Sequence, residues 1–166
     1  MYGGISLIGW FHTIIGTAGI ISGIYLLVRY NFINIWSSLG MFYIICTLLA
    51  SGSSLFIFSA TGGFNDAHIL SILTILAIIA AFILDRFSIF GFLTKYLKEL
   101  ALSVTILFSM LPTTAEVLKR LPPKNPFVDL IYDPLIMKFY MSYLVIFVVF
   151  AIYQIFLIKG GSYNDK

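Results

Sequence analysis

The sequence has few of the residues that carry out most enzyme chemistry. Among 166 residues there are one cysteine, two histidines and seven carboxylates, and only 10% of the residues are charged. A soluble domain has roughly 25% charged residues, so this chain cannot cover a globule with polar surface. The single cysteine, Cys46, excludes a disulfide within one chain and a metal site built from several thiolates. We therefore expect lipid to surround most of the chain.

Several sequence patterns with a known chemical mechanism are also absent. There is no HExxH zinc pattern, no arrangement typical of a hydrolytic nucleophile, no glycine-rich phosphate loop and no nucleic-acid-binding motif. The net charge of +3 comes from lysines and arginines scattered at the ends of hydrophobic segments, which is typical of membrane topology. Nucleic acid is therefore not an expected partner, whereas the lipid bilayer is.

Long hydrophobic segments dominate what remains. The chain is 60% hydrophobic with a mean hydropathy of +1.03, which predicts a single all-α integral membrane domain over residues 1–166. We expect a bundle of about five transmembrane helices, with four in the core and a peripheral C-terminal helix. Pro112 predicts a kink or an early end in the fourth span. The predicted spans are 5–28, 37–58, 66–84, 100–118 and 139–158. An exposed Pro-rich loop, 119–138, is expected to join the fourth and fifth spans, and a mobile tail, 159–166, to follow the fifth.

The first segment is expected to be a retained span. It has no lysine or arginine before its apolar run and no small-residue cleavage site, unlike a signal peptide. Five spans place the two ends of the chain on opposite faces, which we name side A (N-terminal) and side B (C-terminal). Side B receives more lysine and arginine than side A, so the positive-inside rule predicts a cytoplasmic side B in a bacterial inner membrane.

The first span carries a stripe of small residues below a histidine. His12, Gly16, Gly19 and Gly23 recur at the spacing of one helix face, and residues 19–23 match GxxxG. One interpretation is a close contact between two helices. The other is a groove in which a flat cofactor or a partner helix lies beside His12.

A second histidine lies where one apolar run ends and the next begins. The Gly62-Gly63 pair breaks the helix, and Asn65 or Asp66 is expected to cap the next one. His68 then falls in the first turn of the third span.

The predicted topology brings three ionisable side chains of the spans toward side A. These are His12, His68 and Glu116, and Glu116 is expected to pair with Arg120 at i,i+4. Ionisable groups inside a span indicate a functional site. His12 and His68 could ligate a haem iron, or the two histidines with Glu116 could form a proton, quinone or lipid site with Arg120 and Asp66 in its polar network. Alternatively, His12 bonds to a neighbouring helix and His68 lies beside a helix cap.

These residues also carry a family resemblance over about residues 8–122. The chain resembles a family of uncharacterised bacterial multi-pass membrane proteins, loosely similar to b-type cytochrome membrane subunits. The resemblance implies at most one haem b, between His12 and His68, because Trp36 and Ser37 stand where the family commonly has a His-Arg pair. The matching residues are His12-Thr13-Ile14-Ile15-Gly16, Ser22-Gly23, Gly40, Thr61-Gly62-Gly63-Phe64-Asn65, His68, Glu116 and Arg120-Leu121-Pro122.

The sequence thus predicts a site rather than a reaction. The leading expectation is a small membrane subunit that binds a b-type haem or a quinone near side A for electron transfer. The alternative is an accessory or structural membrane protein without a cofactor. In either case we expect other membrane subunits or a second copy as partners.

Overall fold

A computed structural model describes residues 6–58, 62–130, 132–161 and 163. Within these ranges the chain forms five α-helices and one short 3-10 turn, with no β-strand, and the predicted all-α fold class is confirmed. The helices are α1 (Leu7–Tyr30), α2 (Ser38–Ser54), α3 (Asp66–Arg86), α4 (Thr94–Arg120) and α5 (Pro134–Lys159), and the 3-10 turn covers Gly91–Leu93.

Four of these helices are long and apolar enough to cross a membrane. They are α1, α3, α4 with its preceding turn, and α5. Helix α2 has 17 residues and extends about 26 Å at about 1.5 Å per residue. It is therefore slightly shorter than the ~30 Å hydrocarbon layer.

Polar side chains start four of the helices. Ser6 and Ser37 accept hydrogen bonds from backbone N–H groups in the first turns of α1 and α2, and Asn65 does the same for α3. Asp133 caps α5, whose first residue is Pro134. These caps satisfy amide groups that have no partner within their own helix. The predicted cap at Asn65 is confirmed.

Three helix boundaries differ from the predicted spans. Helix α4 begins at Thr94, six residues early, and continues through Pro112, so of the two outcomes predicted at this proline the early end is wrong and the kink stays a prediction. The helix continues because residues on both sides of the proline are buried against neighbours, among them Ile106 and Ala115. Helix α5 begins within the predicted loop because proline is well suited to a first helical position. Helix α2 ends at Ser54 rather than at residue 58.

The helices form a four-helix core with a fifth helix outside it. Helix α1 packs against α2 and α4, and α3 packs against the same two helices, whereas α5 packs mainly against α4. Tyr43, Ile44, Ile78 and Leu102 lie at the centre of the core. A second apolar cluster around Leu118 lies where α4 and α5 meet near side A. This arrangement places the α2–α3 and α4–α5 connections at side A and the α1–α2 and α3–α4 connections at side B.

Candidate functional site

His12 lies at the contact between α1 and α2. Its Nδ1 is 2.9 Å from the carbonyl oxygen of Ala50 and 3.3 Å from Oγ of Ser53. A carbonyl oxygen can only accept, so Nδ1 carries the hydrogen and donates it to Ala50. His12 therefore makes the bond to a neighbouring helix that the packing interpretation expects.

The glycine stripe of α1 is covered by α2. A methyl group on Gly23 would lie 2.6 Å from Cε2 of Tyr43, and one on Gly19 would lie 3.3 Å from Oγ1 of Thr47. A methyl group on Gly16 would lie 3.6 Å from Cβ of Ala50 in α2. The absence of side chains lets the two backbones approach closely. The stripe is therefore a helix–helix contact rather than an open groove.

His68 occupies the third position of α3 and forms a reciprocal cap with Asn65. Its Nδ1 lies 3.3 Å from the Asn65 backbone nitrogen and 3.0 Å from Oδ1 of Asn65, and the Asn65 side chain also accepts from backbone N–H groups of the first turn. The imidazole lies between two phenyl rings, with centroid distances of 4.9 Å to Phe58 and 5.1 Å to Phe64. We name these four residues the His68 site.

The other nitrogen of His68 has no partner within the part of the chain that the structure describes. His68 is 2% exposed, and its Nε2 is buried without a hydrogen bond. Nδ1 faces both the Asn65 N–H, from which it would accept, and Oδ1 of Asn65, to which it would donate. In the neutral tautomer that accepts the N–H, the hydrogen is on Nε2, which is then a donor; in the tautomer that donates to Oδ1, Nε2 is an acceptor. A buried polar atom without a hydrogen-bond partner costs about 1–3 kcal/mol. Such an atom is rare in a folded protein and calls for an explanation, of which a bound ligand is one.

The other predicted side-A groups are bonded elsewhere. Nε of Arg120 lies 2.6 Å from Oε2 of Glu116, which confirms the predicted i,i+4 pair, and both side chains are about half exposed. An exposed pair of this kind contributes little to stability. Asp66 accepts a hydrogen bond from Tyr132 at 3.4 Å. The contacts described at side A do not join these groups to either histidine.

A haem between the two histidines does not fit the described residues. The Nδ1–H bond of His12 to Ala50 leaves Nε2 able to ligate, but α2 covers the stripe that was expected to hold a ring. The two helices that carry the histidines each pack against α2 and α4, whereas bis-histidine ligation needs facing imidazoles with a flat slot between them. Over the described ranges there is also no group of three His, Cys, Asp or Glu side chains that could hold a metal ion.

A buried ionic network lies at the opposite end of the bundle. Nζ of Lys98 lies 2.9 Å from Oδ1 of Asp85 and 3.8 Å from Oε1 of Glu99. Lys98 is 7% exposed and Glu99 is 2% exposed. Because removing each ion from water costs several kcal/mol, such charges are stable only when they are paired and hydrogen-bonded.

Donors from distant parts of the chain complete this network. Nε1 of Trp36 donates to Asp85 at 2.8 Å, and the hydroxyl of Tyr163 donates to Glu99 at 2.9 Å. The backbone N–H of Ile33 donates to the second Glu99 oxygen at 3.4 Å. We name Asp85, Lys98, Glu99, Trp36 and Tyr163 the side-B network. This network holds together three parts of the chain: the segment between α1 and α2, the facing ends of α3 and α4, and the chain after α5.

A buried amide adds a link between α5 and the core. Oε1 of Gln154 accepts from Ser103 at 3.0 Å, and its Nε2 donates to the carbonyl of Asn31 at 2.7 Å. Gln154 is 2% exposed. One side chain therefore joins α5 to α4 and to the end of α1.

The side-B network was not predicted. Asp85, Lys98 and Glu99 all fall outside the predicted spans, because the third was expected to end at residue 84 and the fourth to begin at residue 100. With α4 beginning at Thr94, Lys98 and Glu99 lie inside the helix. Gln154 was an available signal for buried polar contacts at this end of the bundle, because a polar side chain inside an apolar span usually has a buried partner.

The chain after α5 was predicted to be mobile, but Tyr163 is fixed by several contacts. Besides its bond to Glu99, its ring meets Phe32 edge to face at 5.0 Å, and Nζ of Lys98 lies 5.4 Å from its centroid. Residues 162 and 164–166 of the predicted tail lie outside the described residues.

Replacing the Tyr163 hydroxyl tests this attachment. We expect Tyr163→Phe to lower the free energy of unfolding by about 1.5–3 kcal/mol, the usual contribution of a hydrogen bond to a charged group. The measurement is unfolding in mixed micelles followed by far-UV circular dichroism. Tyr153→Phe is the matched control, because Tyr153 is exposed and we expect no loss there. Equal stability of the two variants would contradict a fixed Tyr163.

No family model, curated protein or solved structure matches this chain.

Proposed function

We propose that this protein is a small membrane subunit that binds the ring of a membrane-soluble quinone at the His68 site and presents it to a redox partner. The observation that carries the proposal is the buried Nε2 of His68, which has no hydrogen-bond partner in the described part of the chain. A quinone carbonyl is an acceptor, and it would satisfy Nε2 in the tautomer in which Nδ1 accepts the Asn65 N–H and Nε2 carries the hydrogen.

The surroundings of His68 favour a flat apolar ligand. Phe58 and Phe64 border the imidazole, and both rings are partly exposed. Aromatic side chains provide contact area for another flat ring. A ligand that enters from the bilayer must be apolar apart from the group that bonds to Nε2. A quinone has this combination of properties, and it needs one donor rather than the two axial ligands of a haem.

Charge supports an orientation for the bundle in the membrane. Among the described residues, side B has Arg29, Arg86, Lys95, Lys98 and Lys159 against only Asp85 and Glu99. By the positive-inside rule, we propose a cytoplasmic side B in a bacterial inner membrane, so that the His68 site faces the outer side. Other membrane subunits, one of which would carry the redox centre, are proposed partners.

Histidine NMR tests the proposal directly, because the chain has only two histidines. The protein, with ¹⁵N-labelled histidine, is titrated in micelles with ubiquinone-1, and the same titration is followed by calorimetry. We expect the Nε2 resonance of His68 to shift and that of His12 to stay in place. His68→Ala should weaken binding about tenfold, since losing one buried hydrogen bond of about 1.4 kcal/mol corresponds to that factor.

His12→Ala is the matched control, because His12 already donates to Ala50. This variant should bind ubiquinone-1 like the wild type. Absence of binding, or an equal loss in both variants, would contradict a quinone site at His68 and would favour the accessory protein without a cofactor. A Soret band in the purified protein that is lost in both variants would instead favour the haem interpretation.

A further inference from the structure

Nδ1 of His68 faces a donor and an acceptor that belong to one residue. It lies 3.3 Å from the backbone nitrogen of Asn65, which donates, and 3.0 Å from Oδ1 of the Asn65 side chain, which accepts. A neutral imidazole carries one hydrogen, on either of its nitrogens. Asn65 therefore has a partner for Nδ1 in both tautomers: the N–H when Nδ1 is bare, and Oδ1 when Nδ1 carries the hydrogen.

The cap of α3 is kept in both tautomers. The Asn65 side chain also accepts from the backbone N–H of Ala67 at 2.9 Å and from that of His68. These bonds do not need the imidazole hydrogen, so α3 begins in the same way whichever nitrogen carries it. A ligand can shift a balance between two states by as much as its affinities for them differ, and here each tautomer already has its bond to Asn65.

His12 has no such choice. Its Nδ1 faces the carbonyl oxygen of Ala50, which only accepts, and Oγ of Ser53, whose own hydrogen is donated to the same carbonyl. Both neighbours of Nδ1 therefore offer lone pairs, and the hydrogen of His12 stays on Nδ1. Of the two histidines of the chain, His68 is the one whose hydrogen can occupy either nitrogen.

The imidazole of His68 is held in place, so its hydrogen can change position while the ring does not. Phe58 and Phe64 border the ring at interplanar angles of 26° and 31°, and His68 is 2% exposed. Nε2 therefore stays at one point, as a donor in one tautomer and an acceptor in the other. A lysine or an indole N–H at this point would offer only a donor.

We propose that the His68 site binds both members of a quinone/quinol pair, and that the ligand selects the tautomer of His68. A quinone offers a carbonyl oxygen, which accepts from Nε2–H. A quinol offers a hydroxyl hydrogen, which needs a bare Nε2; if Nε2 also carried a hydrogen, one of two buried hydrogens would have no acceptor. This inference rests on the proposed function, from which it takes the quinone ring, and adds that the oxidised and reduced rings bond to the same atom.

Titration with both redox forms tests the proposal. Protein with ¹⁵N-labelled histidine, in micelles at about pH 8, where an imidazole is ordinarily neutral, is titrated with ubiquinone-1 and, under reducing conditions, with ubiquinol-1. We expect two dissociation constants within about threefold of each other. The ¹⁵N shifts should place the hydrogen of His68 on Nε2 in the quinone complex and on Nδ1 in the quinol complex, while His12 keeps its hydrogen on Nδ1 in both.

Asn65→Gly removes Oδ1 and retains the backbone N–H, and glycine is a tolerated residue at a helix N-cap. The remaining described neighbour of Nδ1 is then a donor, so Nε2 keeps the hydrogen. Quinol binding should weaken about tenfold, which is the equivalent of one hydrogen bond of about 1.4 kcal/mol, and quinone binding should stay unchanged. Ser6→Gly is the matched control, because it removes the cap of α1 at the same face, and it should change neither affinity.

The outcomes distinguish this inference from the proposed function. If neither form binds, the quinone site itself is overturned, and this inference with it. If ubiquinone-1 binds and ubiquinol-1 binds more than about tenfold more weakly, the quinone site stands and the pair is overturned. Selection of the tautomer is overturned if the hydrogen of His68 stays on one nitrogen in both complexes, or if Asn65→Gly weakens both ligands equally. The first of these readouts uses the wild-type protein and does not depend on the folding of the variant.

Discussion

Lys98→Met is expected to cost about 3–5 kcal/mol of unfolding free energy, the loss found when one partner of a buried ion pair is removed. Methionine keeps most of the apolar stem, but the Asp85 carboxylate loses the ammonium group 2.9 Å away. The partly exposed Asp85 and the buried Glu99 would then lie together without a cation from Lys98, and their mutual repulsion would add to the desolvation cost of Glu99. Reversible unfolding in mixed micelles, followed by circular dichroism, gives the free energy.

Two further variants separate charge from packing in this experiment. Lys95→Met removes a cation from the same helix that has no ion pair in the described part of the chain, and we expect a change within about 0.5 kcal/mol. Lys98→Arg keeps the charge and should lose clearly less than Lys98→Met. If Lys98→Met unfolds as easily as Lys95→Met, the network does not stabilise the bundle.

Among glycine-to-alanine substitutions, Gly40→Ala is expected to lower the free energy of unfolding the most. A methyl group at Gly40 would lie 1.9 Å from the backbone oxygen of Asn34, so the α1–α2 connection would have to move as a whole. The same connection provides the Trp36 and Ile33 donors of the side-B network. Overpacking costs about 1–3 kcal/mol or more, and we expect Gly40→Ala to lose about 3 kcal/mol in the same unfolding experiment.

Gly52→Ala is the control in the same helix. No atom lies within 4 Å of a methyl group placed there, and alanine favours a helix over glycine by about 1 kcal/mol. This variant should be as stable as the wild type or more so. If both alanine variants are stabilised, the close approach of Gly40 to the connection is not a constraint on the fold.

Features that depend on neighbouring residues in the sequence were predictable. The length and apolarity of the runs were enough to predict α1, α3 and α5, because a helix that crosses lipid must bond all its own backbone groups. The Asn65 cap and the pair of Glu116 with Arg120 follow from spacings of three and four residues. Such short spacings fix a geometry before the helices are assembled.

Features that depend on which helices touch were not predictable in the same way. Three polar residues were expected to meet because the topology brings them to one face, but a common depth does not make two helices neighbours. His12 bonds to α2, and the imidazole of His68 lies against aromatic rings next to α3. The charges of the side-B network lie near helix ends, where sequence alone favours an interpretation as solvent-facing groups. These charges are buried because the α1–α2 connection and Tyr163 cover them.

The bond between Tyr163 and Glu99 also has a consequence for biosynthesis. The two residues are separated by 64 positions, so α4 and α5 are both synthesised before Glu99 can receive this donor. A chain released by the ribosome at any position between Glu99 and Tyr163 would enter the bilayer with the Glu99 carboxylate but without the Tyr163 hydroxyl that bonds to it. Membrane quality control that recognises incompletely buried charge could therefore distinguish such fragments from chains that extend to Tyr163.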